Sequence, residues 1–237
     1  MSPGKSLHAV VMAAGEGTRL RPLTERWAKA VLPIDGLPVI ATLLRELAAA
    51  RFGEVTLVTG HFAEQVEALA GDGSAFGLAI RVVRQPEPLG SADAVNRALT
   101  AGARAPLLVT AADTVFTRGD IGRAVERFAE STAAGGVGTR YGGHPGQTPV
   151  RVENGRVVAF GVEPAEYTAT PLWLLGEEVA AALANVPGPP FEIAHAVQEA
   201  ITADKEILAL EMGPTRDITR PADVVRHNFP YLLGWER

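Results

Sequence analysis

Apolar runs of strand length alternate with amphipathic runs of helix length through the first half of the chain, and this alternation restricts the fold more than any other feature. The strand-like runs are LHAVVMA at 7–13, EVTLVTG at 54–60, LAIRVVR at 78–84 and PLLVTAAD at 106–113. Between them lie VIATLLRELAAARF, AEQVEALAG and SADAVNRALTAG, whose apolar residues recur three and four positions apart, as on one face of a helix. Such a series predicts an α/β fold of Rossmann-like, doubly wound type: a mainly parallel, mixed sheet with helices on both faces and right-handed crossovers. Ligands of these sheets bind beyond the carboxyl ends of the strands, where the strand order reverses. The loop after the first strand and Asp113 after the fourth are expected on that rim.

The second half is less regular. Short strands are expected at 135–141, 148–152, 156–160 and 170–175, with an Asn-Gly hairpin turn in VENGRV. Helices at 176–186 and 192–203, a strand ILALEM at 207–212 and a last helix at 221–229 follow. This half is expected to extend the sheet and build a lid. No repeat, low-complexity tract or linker interrupts residues 1–237, which read as a single domain.

With 47% hydrophobic residues in 237, the core can be large. The apolar runs fall well short of the roughly 18 residues that span a bilayer, so no membrane segment is expected. MSPGKSLHAVVMAAG lacks the apolar stretch of a signal peptide. Cysteine is absent, which excludes disulfides and thiolate metal sites and fits a cytoplasmic protein. A net charge of -5 argues against a broad basic face for nucleic acid. The expected anionic ligand is small.

Positive charge is nevertheless concentrated in one place. In VVMAAGEGTRLRPLTERWAKAVLPI, residues 10–34, a buried strand around Val10, Val11 and Met12 stops at a glycine-rich loop. Arg19, Arg21, Arg26 and Lys29 there oppose only Glu16 and Glu25, a local balance of +2. Gly15 and Gly17 allow positive φ and let backbone N–H groups approach an anion without a Cβ in the way. The spacing fits neither the six-residue dinucleotide fingerprint nor the GxxxxGK[ST] phosphate cradle.

Gly15-Glu16-Gly17-Thr18-Arg19-Leu20-Arg21-Pro22-Leu23-Thr24, then Lys29 and Leu32-Pro33-Ile34, resembles the GxGTRLxPLT…K…LP[IV] signature of the sugar-phosphate nucleotidyltransferases, or sugar nucleotide pyrophosphorylases. The resemblance implies a GT-A-like nucleotide-diphospho-sugar transferase fold. It implies a nucleotide-binding half at 1–115 and an acceptor-binding half at 116–237. Met12, Ala13, Ala14, Gly15, Gly17 and Thr18 would meet the nucleotide. A second stretch, RQPEPLGSADAV at 84–95, resembles the QxxPLGTAxA motif that contacts the nucleoside, with Ser91 in place of threonine. Gln85 carries donors and acceptors on one amide and can read a base edge, that of uracil, thymine or guanine, while Gly90 lets the backbone come close to the ring. Taken alone, the stretch is equally a proline-shaped turn capping a helix.

In TAADTVF at 110–116, Asp113 ends a buried strand where the family places a Mg²⁺ ligand; Asp is also a common N-cap or Asx-turn residue there. TRDITRPADV resembles the family's DI[DG]TPxDL element and makes Asp217 the second expected ligand. Mg²⁺ is commonly held by one or two carboxylates plus substrate phosphates. For the acceptor, the family's EKP and N[AT]G elements correspond to GVEPAEYTATPLWLLG, in which Glu163 matches, the lysine is missing and Thr168 begins the stand-in for the Asn-containing turn. FEIAHAVQEAI resembles the family's ELTDAI helix, with His195 at its aspartate. His195 and the other histidines, His8, His61, His144 and His227, are read as structural.

The implied reaction is attack by the phosphate of a sugar 1-phosphate on the α-phosphorus of a nucleoside triphosphate, releasing pyrophosphate. Arg19 would steady the leaving pyrophosphate and Lys29 the incoming phosphate. Alternative acceptors are non-sugar phosphates such as phosphocholine, or a non-hexose sugar phosphate. A nucleotide-sugar sensor without turnover is a reading from another class, and a Rossmann-type oxidoreductase lacks the required glycines and acidic ribose ligand. Base, acceptor and oligomeric state, a homo-oligomer included, stay open.

Overall fold

The computed structural model describes residues 7–142 and 147–229, so His144 lies outside the described residues. The first half opens with β1 (His8–Ala13), a small hairpin of β2 (Pro33–Ile34) and β3 (Leu37–Pro38), and α1 (Val39–Ala49). Next come β4 (Glu54–Thr59), α2 (Ala63–Ala70), β5 (Ala79–Arg84), α3 (Ser91–Thr100) and β6 (Leu107–Ala111). β7 (Thr114–Val115) and α4 (Asp120–Ala129) lead to the strands β8 (Gly135–Tyr141), β9 (Pro149–Glu153), β10 (Arg156–Phe160) and β11 (Tyr167–Leu175). The chain then forms α5 (Glu177–Ala182), α6 (Ile193–Thr202), β12 (Ile207–Glu211), β13 (Arg216–Asp217) and α7 (Pro221–Asn228).

Two boundaries differ from expectation for local reasons. The helix predicted to run through residue 52 ends at Ala49, because Arg51 takes a φ of 66° and turns the chain, which returns Phe52 to the core. β11 begins at Tyr167 rather than at 170, and its register against β8 shifts between Ala169 and Trp173. Pro171 falls in that irregular stretch, where a missing N–H costs no ladder bond. α4 was not expected at all, although Ile121, Ala124, Val125 and Phe128 have helical spacing and are buried.

Among the described residues nine strands form one sheet in the order β5-β4-β1-β6-β11-β8-β12-β10-β9. The β5-β4-β1-β6 portion is parallel; β11 runs antiparallel to β6 and to β8, so the sheet is mixed. Successive residues of β1 serve opposite faces: Ala9 and Val11 join the core under α1, α2 and α4, whereas Val10 joins the core under α3, α5 and α6. Burial on both sides explains why β1 reads as a continuous apolar run. A third cluster of Leu20, Leu32, Ile34, Val39, Val115 and Ile218 lies beneath the glycine-rich loop. No helix among the described residues is long and apolar enough to cross a membrane.

Connections from β1 lead outward to β4 and β5, while β6 pairs with the other side of β1. The strand order therefore reverses between β1 and β6, and the backbone joins them there, Ala112 N donating to Met12 O at 2.9 Å. That edge is the rim on which a ligand of this architecture sits.

Candidate active site

A cavity of about 370 Å³ opens at this reversal point. It is lined by Met12, Ala13, Ala14, Gly15, Gly17, Thr18, Gln85, Gly90 and Ser91 together with Arg19, Lys29 and Asp113. Residues drawn from three separate sequence segments thus meet in one cleft.

The glycine-rich loop owes its shape to Gly17. With φ 63°, it is left-handed, and a Cβ there would lie 2.9 Å from Thr24 Cγ2. Thr24 Oγ1 donates to Gly17 O at 2.9 Å, and the His61 ring nitrogen lies 2.9 Å from Thr24 O. Gly15 does not use that freedom: its φ is not in the left-handed region. A Cβ on Gly15 would meet nothing within 4 Å. Its lack of a side chain keeps the loop face open instead of permitting a turn.

Burial of one neighbour presents the next. Leu20, fully buried in the cluster below the loop, anchors the 3-10 turn Thr18–Leu20 and leaves Arg19 exposed at the cavity. Ala30, buried in the turn Lys29–Val31, likewise sets Lys29 on the cavity wall, where its side chain stays mostly buried. That turn is fixed from α2, since Gln65 Oε1 accepts from Ala28 N and Gln65 Nε2 donates to Arg26 O, each at 2.8 Å. Lys29 Nζ donates to Asp113 Oδ2 in a mostly buried ion pair. Three donors sit on an ammonium, so two stay available to a ligand.

Asp217 approaches from behind. β13 pairs with β7 so that Asp217 lies opposite Thr114, whose Oγ1 donates to Asp217 Oδ1 at 2.6 Å and stands 3.3 Å from Asp113 Oδ1. One hydroxyl therefore separates the two carboxylates. Burial pushes the Asp217 carboxyl above the usual range, the Thr114 hydrogen bond works against that, and the charge of Asp113 adds to the rise. Gln147 Nε2 reaches Asp217 Oδ2 at 3.4 Å, and Gln147 Oε1 accepts from Thr168 Oγ1 at 2.9 Å. Thr168 is thus connected to Asp217 without lining the cavity. Glu163 is not brought to it: exposed, it closes a local turn by accepting from Ala165 N at 3.0 Å.

Among the described residues no group of three or more His, Cys, Asp or Glu could hold a metal ion. Asp113 lines the cleft, and Asp217 stands behind it, one hydroxyl away, without lining it. Mg²⁺ is commonly held by one or two carboxylates and fills its remaining positions with water and substrate phosphate. The donor set fits that ion.

The second segment shows contacts that its sequence did not disclose. Gln85, 5% exposed, donates from Nε2 to Gly90 O at 3.0 Å and to Asp93 Oδ2 at 2.8 Å. Gly90 has φ 113°, and a Cβ there would lie 2.3 Å from Phe191 O. The main chain of Phe191, rather than a ligand, occupies that space. Ser91 Oγ is also engaged with α6, donating to Glu192 Oε2 and accepting from Ile193 N at 2.9 Å. His8 and His227 make structural contacts, with Thr56 Oγ1 and Asp217 O, and His195 is exposed on α6.

The family profile described as nucleotidyl transferase matches residues 8–159. The chain belongs to the sugar-phosphate nucleotidyltransferase family. It is 32% identical over 243 residues to the glucose-1-phosphate thymidylyltransferase of Streptomyces antibioticus, covering 97% of this chain and 67% of that protein. Over 89 residues it is 42% identical to the glucose-1-phosphate thymidylyltransferase of Streptomyces griseus, covering 38% of this chain and 25% of that one. The matched segments thus span between a quarter and two thirds of these relatives. A solved UDP-glucose pyrophosphorylase, complexed with UDP-glucose, superposes with a TM-score of 0.80 at 16% identity, covering 96% of this chain and 99% of that one. The architecture is accordingly the α/β, GT-A-like nucleotidyltransferase fold.

Proposed function

We propose that this chain is a Mg²⁺-dependent nucleotidyltransferase that joins a nucleoside triphosphate and a sugar 1-phosphate to give a nucleoside diphosphate sugar and pyrophosphate. The observation that carries the reading is the meeting of Arg19, Lys29 and Asp113 in one cleft of about 370 Å³ at the β1/β6 reversal. The names of the relatives, which transfer a nucleotidyl group to glucose 1-phosphate, point the same way.

In the proposed reaction an acceptor phosphate oxygen forms a bond to the α-phosphorus in line, and the bond from that phosphorus to the β-phosphate bridging oxygen breaks. Pyrophosphate leaves with the electron pair. No general base is needed, because the attacking phosphate is ionised at neutral pH. The protein's contribution is position and charge. Exposed backbone around Gly15 receives the triphosphate, Arg19 neutralises the charge that grows on the leaving group, and Lys29 draws the acceptor phosphate toward an α-phosphate that repels it. Asp113 and Asp217 would hold Mg²⁺, which when bound supplies further neutralisation of the nucleotide phosphates.

Glu163 lies outside the cleft and the segment lacks the EKP lysine, so the acceptor panel must extend beyond hexose phosphates. The test is pyrophosphate release from five nucleoside triphosphates against sugar 1-phosphates, other sugar phosphates and phosphocholine, with Mg²⁺. Release with a sugar 1-phosphate supports the proposal. Release with phosphocholine alone moves the acceptor class. Silence across the panel with retained nucleotide-sugar binding favours a sensor.

A further inference from the structure

A fourth segment of the sequence reaches the cleft, from the stretch between β13 and α7. Thr219 lines the cavity together with Arg19, Lys29 and Asp113. It stands where the DI[DG]TPxDL element has aspartate or glycine, so its hydroxyl is a feature of this chain rather than of the motif. Several contacts fix its place. Ile218, fully buried, packs in the cluster that holds Leu20, and this brings their sequence neighbours Thr219 and Arg19 to the cavity wall above. Ile218 N also donates to Asp113 O at 3.3 Å. Asp223 Oδ2, in the first turn of α7, accepts from Thr219 N at 2.9 Å and from Arg220 N at 2.8 Å, while Asn228 Nδ2 at the other end of α7 donates to Pro33 O at 2.7 Å. The backbone of Thr219 is therefore held from both sides. These bonds leave it with one donor: its N–H is spent on Asp223, and among the described residues its hydroxyl takes part in no hydrogen bond. A hydroxyl can turn its proton toward whichever acceptor arrives. Phosphate oxygens are the acceptors that fit here, because Thr219 shares this wall with Arg19, whereas Gln85, Gly90 and Ser91 come to the cavity from the β5–α3 connection.

We propose that the Thr219 hydroxyl donates a hydrogen bond to the pyrophosphoryl oxygens of the bound triphosphate and keeps it as pyrophosphate departs, so that the chain before α7 and the glycine-rich loop grip the same phosphates. Negative charge on those oxygens grows as the bond to the α-phosphorus breaks. The hydrogen bond is then stronger in the transition state than in the ground state, which is the condition for it to raise kcat. The inference rests on the nucleotidyltransferase reading and adds a residue to its pyrophosphate end.

The experiment uses the full chain and begins with a probe that needs neither base nor acceptor, inorganic pyrophosphate titrated calorimetrically in the presence of Mg²⁺. Thr219→Val, which keeps the shape and removes the hydroxyl, is expected to weaken pyrophosphate binding at least ~10-fold, as for loss of a hydrogen bond to a charged group. Thr219→Ser, which keeps the hydroxyl, is expected to retain most of the affinity. With the triphosphate and acceptor that support turnover, kcat for pyrophosphate release is expected to follow the same order, the valine variant falling at least ~10-fold and the serine variant recovering most of the rate. Mn²⁺ binding without phosphate, followed by electron paramagnetic resonance, is expected to be equal in all three proteins. Pyrophosphate affinity unchanged in Thr219→Val, or lost as fully in Thr219→Ser, overturns the inference while leaving the transferase reading intact. So does weakened Mn²⁺ binding in Thr219→Val, which would put the hydroxyl on the metal instead, and so does a wild-type chain that binds no pyrophosphate. Thr219→Ala replaces Thr219→Val in the comparison if the latter does not fold by circular dichroism. If no triphosphate reacts with any acceptor, the transferase reading fails, and the pyrophosphate titration still decides the role of Thr219.

Discussion

Lys29 and Asp113 are separated by 84 positions in sequence and joined by an ion pair in space, with side chains only 18% and 25% exposed. Loss of Lys29 leaves Asp113 unpaired beside Asp217 and removes the cation that offsets phosphate repulsion. Lys29→Ala and Arg19→Ala are each expected to lower kcat for pyrophosphate release at least ~100-fold, the usual cost of deleting a group that stabilises transition-state charge. Steady-state rates on protein shown by circular dichroism to be folded check this; near-normal turnover would refute the roles. A different residue, His8, makes one contribution to stability that depends on pH. Burial holds His8 below its ordinary value of 6.5, with Glu54 opposing and Arg81 assisting. A depressed folded value means the neutral ring's contribution to stability is complete above 6.5 and is lost as pH falls through the lower folded value. The stability gap between the protein and a His8→Gln variant should therefore narrow as denaturant midpoints are followed from about pH 7.5 down to about pH 5. A gap that widens would contradict the assignment.

Among the elements, the two-residue pairing of β7 with β13 matters beyond its size, because it sets Thr114 between the two carboxylates. Thr114→Val removes that hydroxyl, and the Mg²⁺ concentration giving half-maximal activity is expected to rise ~10-fold, as when a group orienting metal ligands is lost; an unchanged Mg²⁺ titration would count against Asp217 as a ligand. Gly90 welds the turn before α3 to the start of α6. Gly90→Ala combines a positive φ with a Cβ against Phe191, so denaturant unfolding should register a loss of about 3 kcal/mol. The strands of the first half were legible because both-face burial makes them continuous apolar runs, and their helices because one face repeats at helical spacing. α4 carried the same spacing, but Gly119 and Gly122 give its first turns the look of a loop. β2, β3, β7 and β13 had no local signal, since each exists through its partner. The loop and Asp113 were legible as residue types at a predicted rim. Gln147 and Thr114 were not, because their links to Asp217 span 70 and 103 positions and arise only in the folded sheet. The orientation of Gln85 was hidden for the same reason: an amide announces donors and acceptors, but its neighbours decide which are spent.

Across the whole molecule, one sheet carries strands from both halves of the sequence, β11 lying between β6 and β8, with a buried core on each face. The cleft inherits its rigidity from that arrangement: β1 and β6 are central, and the third cluster braces the glycine-rich loop from below. Leu108, fully buried in β6, is a direct probe. Leu108→Ala is expected to cost about 2–5 kcal/mol in urea unfolding, the range for deleting a buried leucine side chain. The central claim is that Arg19, Lys29 and Asp113 surround a single triphosphate. A crystal structure with a non-hydrolysable nucleoside triphosphate and Mg²⁺ tests it most directly. The account predicts phosphates against the loop from Gly15 to Arg19, the metal on Asp113 and Asp217, and the base beside Gln85. Phosphates bound elsewhere, or a metal remote from both aspartates, would contradict it.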